Sequence, residues 1–305
     1  VNTNVIGQSD ETTPQTSESQ TLTNLTNTVQ TLIYTVTPTS GAAGNCVGDD
    51  FTITVDVNPK PLIENVDFPA ICSGTPFDLI PTDGGGLSSS DIVPAATTYT
   101  WTVVDANGFV TGGSDVTVGQ TSIGQTLTNT SNVTQTVVYT VTPTSGAQGN
   151  CEGGTFTVSV DVNPTPSISA IPSQTICGGT AFVTPTFVSD VTGATYTWLL
   201  TNGAIPAQVT GYPSPNGNGD ITGGVIENTG TASYTLVYDV IVDFQGCAGN
   251  TEQFSITVEP APSVNFDVGA INNFLKIFLP AGFYYKTFMW PKSFWYKVYE
   301  PFIRK

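Results

Sequence analysis

The chain has 305 residues, of which 24 are acidic, seven are basic and none is histidine, so its formal net charge is −17. This acidity argues against nucleic-acid partners, because phosphate binding needs clustered Lys and Arg side chains. The missing histidine excludes Ser-His-Asp and Cys-His catalysis as well as histidine-ligated metals. The composition therefore predicts that the protein is not an enzyme of these common classes and does not bind nucleic acid.

The charge is unevenly distributed along the chain. Residues 1–263 hold one basic and 22 acidic residues, a net charge of −21, whereas residues 264–305 hold six basic and two acidic residues, a net charge of +4. Aromatic side chains also become frequent in the second part. Two compositions therefore meet near Ser263, and each needs its own interpretation.

The acidic part is an internal repeat. The sequence TLIYTVTPTSGAAGNC, which ends at Cys46, recurs as TVVYTVTPTSGAQGNC, which ends at Cys151, 105 residues later. The sequence ICSGTPF around Cys72 recurs as ICGGTAF around Cys177, again 105 residues later. We predict two complete units at 61–164 and 165–262, preceded at 1–60 by the second half of a unit. Because the first unit lacks its first half, we expect the chain to be a piece of a longer array.

Apolar and polar residues alternate with a period of two through each unit, which indicates β-strands rather than helices. In chain order, the alternating segments are 32–36, 51–57, 99–103, 137–141, 156–162, 196–200, 236–240 and 254–258. About seven short strands in ~100 residues, with a central Trp strand, are typical of an immunoglobulin-like sandwich. Proline-rich junctions such as DVNPTP favour semi-rigid linkers. The predicted fold class is all-β, with tandem immunoglobulin-like sandwich domains in a rod.

The alternation also predicts which aromatic side chains form the cores. The candidate core residues are Tyr34, Trp101, Tyr139, Trp198 and Tyr238. The two tryptophans could instead stack on sugars, but their places in alternating strands favour the core.

These motifs resemble a known family. The ordered set ICSG, TYTW, YTVTP and FTVSVDVNP is similar to the PKD-like, immunoglobulin-fold repeats of very large surface proteins in Bacteroidetes. The resemblance covers residues 1–262 and implies an extracellular array, exported by type IX secretion, in adhesins, gliding-motility filaments or similar cell-surface appendages. The C-terminal sorting domain expected for that route is not visible in this sequence.

Five cysteines at repeated positions suggest disulfides formed in an oxidising compartment. Two pairings compete. Pairing within each unit would join Cys72 to Cys151 and Cys177 to Cys247, and would leave Cys46 unpaired or paired upstream. Pairing across the linkers would join Cys46 to Cys72 and Cys151 to Cys177. We favour pairing within the unit, and buried free thiols are the third alternative.

Acidic residues near the predicted domain ends are candidate ligands for Ca²⁺, which stiffens many extracellular arrays. The candidates are Asp49, Asp50, Asp56, Asp161 and Glu259. The competing interpretation, which we favour, is that they are solvated strand ends that keep an acidic protein soluble. Three Asn-x-Ser/Thr triplets, at Asn24, Asn129 and Asn132, fit the glycosylation sequon but are frequent by chance in Thr-rich sequence. No other cofactor is predicted.

The tail, residues 263–305, has an unrelated composition. Residues 264–305 resemble a short segment of the alpha subunit of heterotetrameric sarcosine oxidase, particularly at LPAGFYYKTFMWPK. The segment contains no dinucleotide-binding glycine motif, so the resemblance implies no activity. A fusion, a sequence artefact, or an aromatic, cationic anchor for a membrane or partner surface would each explain it.

The sequence as a whole favours a non-catalytic stalk or filament segment of a secreted bacterial surface adhesin or appendage. Its expected partners are neighbouring repeats of the same chain, and poorly guarded Thr-rich strand edges favour lateral assembly into homo-oligomeric filaments. The alternative is an array of carbohydrate-binding modules attached to a secreted hydrolase, which would need exposed aromatic side chains on one sandwich face.

Overall fold

A computed structural model describes residues 2–84, 88–105 and 107–261. These residues contain 21 β-strands and no helix, and none of their segments could cross a membrane as a helix. The predicted all-β class of tandem immunoglobulin-like domains is therefore confirmed. The predictions made for the basic, aromatic tail concern residues that lie outside the described part.

The second domain contains nine strands. They are β5 (Val66–Cys72), β6 (Pro76–Leu79), β7 (Thr98–Asp105), β8 (Val110–Thr111), β9 (Val116–Gln120), β10 (Ile123–Thr126), β11 (Thr128–Asn129), β12 (Gln135–Thr144) and β13 (Phe156–Asn163). The main sheet has the strand order β5-β13-β12-β7-β9, and the pairs β6–β10 and β8–β11 are separate. The long hairpin β12–β13 and the Trp strand β7 form the centre of this sheet.

The third domain repeats this arrangement with eight strands. They are β14 (Gln174–Cys177), β15 (Thr180–Ala181), β16 (Thr195–Leu200), β17 (Val209–Thr210), β18 (Asn216–Asn218), β19 (Val225–Asn228), β20 (Tyr234–Phe244) and β21 (Cys247–Glu259). The main sheet has the order β14-β21-β20-β16-β18, and β15-β19-β17 form the second sheet. Every strand of the five-stranded sheet thus has a counterpart in the second domain.

The first strand of each complete domain runs parallel to the last one. Strand β5 pairs with β13 so that Cys72 lies opposite Asn163, and β14 pairs with β21 so that Cys177 lies opposite Glu259. The other strand pairs are antiparallel. As a result, the cysteine that ends the first strand lies beside the residue from which the chain leaves the domain.

Each complete domain has its own hydrophobic core, one drawn from residues 63–162 and the other from residues 168–258. Tyr139 and Tyr238 are completely buried at the centres of these cores, and Trp101 and Trp198 are 5% and 8% exposed. The ring centroids of Trp101 and Tyr139 lie 6.5 Å apart, and those of Trp198 and Tyr238 lie 6.0 Å apart, both edge to face. Such contacts add to the hydrophobic stabilisation of burial.

The first domain has four strands among the described residues. They are β1 (Val5–Ile6), β2 (Thr23–Asn24), β3 (Gln30–Val36) and β4 (Phe51–Val57). They form the two-stranded sheets β1–β2 and β3–β4, which match β8–β11 and β12–β13 of the second domain. Tyr34, a candidate core residue, is only partly buried here, because among the described strands no equivalents of β5 and β7 pack beside β3 and β4.

Candidate functional site: the junction between the second and third domains

A tight turn holds Cys72 at the end of the second domain. After the cysteine, the Ser73 amide donates to the Asn163 carbonyl at 2.9 Å and the Gly74 amide donates to the Leu127 carbonyl at 2.7 Å. The Thr75 hydroxyl then donates back to the Cys72 carbonyl at 2.6 Å. Gly74 has a φ of +81°, a conformation that is strained for residues with a Cβ atom. The sequence Cys-Ser-Gly-Thr therefore fixes the cysteine at this edge.

A two-residue turn between β20 and β21 holds Cys247 in place. This turn lies at the end of the third domain where the chain enters from the linker. Phe244 pairs with Cys247 across the turn, and the two turn residues, Gln245 and Gly246, have φ values of 52° and 85°. Two consecutive positive φ values match the type I′ geometry that closes tight hairpins. Beyond the cysteine, Gly249 lies so close to the carbonyl of Pro166 that a Cβ atom would collide with it. The hairpin is thus packed on the linker between the domains.

A disulfide joins these two elements across the junction. Cys72 and Cys247 are bonded with a Cα–Cα distance of 5.4 Å, although they are 175 residues apart in sequence. The favoured pairings of Cys72 with Cys151 and of Cys177 with Cys247 are therefore wrong, and so are the cross-linker pairings of Cys46 with Cys72 and of Cys151 with Cys177. Parallel pairing of the first and last strands puts the two cysteines of one domain at opposite ends of its sheet, so they cannot meet.

The remaining cysteines carry free thiols. Cys46 and Cys177 are exposed, and Cys151 is partly buried. The disulfides predicted for Cys151 and Cys177 are therefore absent, and whether Cys46 is unpaired or paired upstream stays a prediction.

Polar contacts reinforce the junction beside the disulfide. The Asn132 side-chain amide of the second domain donates to the Asp190 carbonyl of the third domain at 3.0 Å. The Asp190 carboxylate accepts from the amide of Ser167 in the linker region at 2.7 Å. Asn250 accepts from the Ile168 amide at 2.7 Å, so the hairpin is also fixed to the chain that leaves the linker. These contacts hold the linker to one side of the third domain.

A buried asparagine in every domain supports the strand that leads into the next linker, a role that the sequence motifs did not predict. The Asn129 amide donates to the carbonyls of Val133 and Val162 at 2.7 and 2.8 Å, while its oxygen accepts from the Ser131 amide at 2.8 Å. Asn24 and Asn228 make the corresponding bonds to Val57 and Val258. Asn24 and Asn129 are 105 residues apart, which is the repeat spacing, and this could have predicted that they have the same role. In the folded domains, these bonds occupy the amides of the two sequons at Asn24 and Asn129.

The structure does not bring the calcium candidates together. The carboxylates of Asp56 and Asp161 each accept from a threonine on the neighbouring strand, at 2.7 Å from Thr31 and 2.6 Å from Thr136. The described ranges hold no cluster of three or more Asp, Glu, Cys or His side chains suited to a metal. The other candidates, Asp49, Asp50 and Glu259, are exposed. Calcium binding stays a prediction, to be checked by comparing melting temperatures with CaCl₂ and with a chelator.

Fold and junction together define a class: immunoglobulin-like sandwich domains in tandem, with a covalent bond across a domain boundary. The chain belongs to the PKD-like domain family, whose model matches residues 1–61, 70–166 and 174–262. The predicted family resemblance is therefore confirmed.

A separate, short similarity links this chain to a metabolic enzyme. A stretch of 44 residues of this chain is 64% identical to sarcosine oxidase subunit alpha from Rhizobium meliloti (strain 1021). The match spans 14% of this chain and 4% of the length of that protein. The predicted resemblance to this subunit is confirmed as a partial match, and it carries over no activity.

Solved structures of tandem domains are similar to this chain at low identity. Protocadherin Gamma B2 extracellular cadherin domains 1–5 are 15% identical with a TM-score of 0.32, and the similarity covers 77% of this chain and 46% of that one. Titin domains I67–I69 are 7% identical with a TM-score of 0.32, covering 79% of this chain and 91% of that one.

Proposed function

We propose that this chain is a non-catalytic structural segment of a large secreted bacterial surface protein, in which PKD-like domains hold an adhesive or motile part away from the cell. The observation that carries the proposal is the disulfide between Cys72 and Cys247. A bond between successive domains restricts their relative motion, and such a restriction is useful to a part that transmits force or keeps a distance.

Other features support an extracellular role. Structural disulfides persist in oxidising compartments and are rare in the cytosol. The repeats have one basic residue against 22 acidic ones, and such a charge keeps closely spaced domains soluble through mutual repulsion. The family membership fits a surface array in which each domain's main partners are its neighbours in the chain. Lateral contacts between copies would turn such arrays into filaments.

Small-angle X-ray scattering on the oxidised full chain tests the mechanical part of this proposal. Cys72→Ser removes the bond across the junction, so we expect a broader distribution of intramolecular distances than in the wild type. Cys46→Ser is the matched control, because it removes an exposed free thiol from the same chain. Equal distance distributions for the three proteins would contradict a restraining role of the disulfide.

Two further measurements separate the proposal from its rivals. Binding of the folded chain to a glycan array would favour carbohydrate-binding modules, although Trp101 and Trp198 are buried and unavailable for sugar stacking. Flavin absorbance in the purified protein would favour a third function, a redox enzyme, whose only basis is the 44-residue similarity to sarcosine oxidase subunit alpha. We expect neither result.

A further inference from the structure

The five cysteines fall into two structural classes. Strand cysteines, Cys72 and Cys177, end the first strand of a domain, and hairpin cysteines, Cys46, Cys151 and Cys247, follow the turn of the long hairpin. The disulfide in this chain joins one member of each class, the strand cysteine of the second domain and the hairpin cysteine of the third. The three free thiols occupy positions of the same two classes.

The two strand cysteines have the same backbone environment. The Gly178 amide donates to the Glu259 carbonyl at 2.8 Å, as the Ser73 amide does to Asn163, and the Thr180 hydroxyl donates to the Cys177 carbonyl at 2.6 Å. Gly179 has a φ of +84°, close to that of its counterpart after Cys72. A strand cysteine is therefore presented in one fixed way at the end of a complete domain.

The hairpin cysteines of the first two domains also share one geometry. The Cys46 carbonyl accepts from the Ser40 amide and the Cys151 carbonyl accepts from the Ser145 amide, both at 2.9 Å. The preceding residues, Asn45 and Asn150, have φ values of 43° and 46°. Cys247 follows a shorter turn but is likewise the first residue after it.

Cys151 lies beside the end of the first domain. A Cβ atom placed on Gly149 would lie 2.8 Å from the Asn58 side-chain nitrogen and 4.0 Å from the Cys151 sulfur, so the two residues flank this glycine. Asn58 is the repeat equivalent of Asn163, 105 residues earlier. In the second domain, the residue opposite Asn163 is the disulfide-bonded Cys72. The position opposite Asn58 is thus the place from which a strand cysteine would reach Cys151.

The sheet edge at that position is open among the described residues. Of the strands that the structure describes, β4 pairs with β3 alone, whereas its equivalent β13 pairs with both β12 and β5. The apolar face beside it is exposed as well: Phe51 is 49% and Ile53 37% exposed, whereas their equivalents Phe156 and Val158 are 2% and 0% exposed. An edge and a face of this kind match a parallel strand with the sequence pattern of β5.

We propose that Cys151 is one half of a second junction disulfide, and that the open edge of β4 takes the cysteine-ending first strand of a PKD-like domain, parallel and with its cysteine opposite Asn58. The bond forms when the two thiols each give up a proton and an electron to a small-molecule disulfide, which leaves as two thiols. The inference goes beyond the proposed function, because a junction of this kind would serve a stalk and a ligand-binding array equally.

A peptide with the sequence of residues 61–80 of this chain tests the pairing. Its cysteine is activated as a mixed disulfide with thionitrobenzoate, so that attack by the Cys151 thiolate joins the two cysteines and releases thionitrobenzoate. The oxidised full chain is treated with this peptide, and the modified cysteines are identified by peptide mapping under non-reducing conditions. Exposure alone predicts that Cys46 and Cys177 react faster than the partly buried Cys151.

We expect the reverse order, with Cys151 reacting at least tenfold faster than either exposed cysteine. The control peptide has the same composition and activated cysteine but a scrambled sequence, and it should follow the order of exposure. Equal reaction of all three thiols with the native-sequence peptide would overturn the proposal, as would preference of the scrambled peptide for Cys151. Glycan binding or loss of the stalk function would leave this result unchanged, so the two proposals fail separately.

Discussion

At the residue scale, Asn129 joins a short strand, a turn and the last strand of the second domain through one buried side chain that is 7% exposed. Asn129→Asp keeps the shape but replaces a two-proton donor by a carboxylate facing the carbonyls of Val133 and Val162. Because two buried acceptors lose their donor, we expect a loss of about 2–4 kcal/mol in unfolding free energy. Urea denaturation followed by tryptophan fluorescence measures this loss.

Asn150→Asp is the matched control for that variant. Asn150 is exposed, and its positive φ of 46° is one that aspartate tolerates. Asn150→Asp should change the free energy of unfolding by no more than about 0.5 kcal/mol. Equal effects of the two substitutions would mean that the Asn129 amide does not stabilise the domain.

The buried tyrosines predict a loss of stability at high pH. Burial raises the pKa of Tyr99 to about 12, with a smaller contribution from the nearby negative charge of Asp91. Burial likewise raises the pKa of Tyr139 and Tyr238 above the ordinary value of 10. Above pH 10 the unfolded chain loses these protons while the folded chain keeps them. The free energy of unfolding therefore falls as the pH rises, by about 1.4 kcal/mol per pH unit for each tyrosine.

Tyr99→Phe isolates one of these groups. Relative to its own stability at pH 8, the variant should lose less than the wild type as the pH rises from 10 to 12, because one group no longer titrates. Urea denaturation midpoints across this range measure the difference. Parallel pH profiles for the two proteins would contradict the assignment.

At the element scale, the repeat provides a matched pair of strands in different surroundings. Phe156 on β13 and Phe51 on β4 are equivalent positions, but they are 2% and 49% exposed. Phe156→Ala should lower the free energy of unfolding by about 3–5 kcal/mol, because it leaves a cavity in a closed core. Phe51→Ala should lower the free energy of unfolding by about 1 kcal/mol, because much of the Phe51 ring is already in contact with water. Hydrogen exchange of the β12–β13 and β3–β4 amides measures each loss of stability locally. Similar losses at both sites would contradict the exposure of the β4 face around Phe51.

Strands β13 and β4 also differ in how much of their structure the sequence could predict. The alternation in 156–162 predicts a strand because each second side chain is apolar, and a 105-residue repeat predicts equivalent strands in each domain. The burial of Phe51 could not be predicted by this route, because it depends on strands that pack on β4 rather than on β4 itself. The disulfide was mispredicted for a similar reason. Sequence spacing does not reveal that β5 runs parallel to β13, and this direction decides which domain end holds Cys72.

At the scale of the whole molecule, the disulfide between Cys72 and Cys247 ties the second domain to the third. The cross-link spans 175 residues, so it restricts the unfolded chain of both domains. Under the chain-entropy model, a cross-link over so long a span stabilises the folded state by up to about 5 kcal/mol. Stability of the two domains should therefore depend on one bond that lies between them, rather than on a separate bond within each.

Calorimetry with and without reductant tests this dependence in the full chain. Reductant should lower the melting temperature of the wild type to that of Cys72→Ser and should leave Cys72→Ser unchanged, because the variant has no junction bond to lose. Cys46→Ser should behave as the wild type in both conditions, since Cys46 is an exposed free thiol. A melting temperature of Cys72→Ser that still falls with reductant would mean that a different disulfide stabilises the chain. A wild type indifferent to reductant would mean that the bond restrains the junction without stabilising the domains.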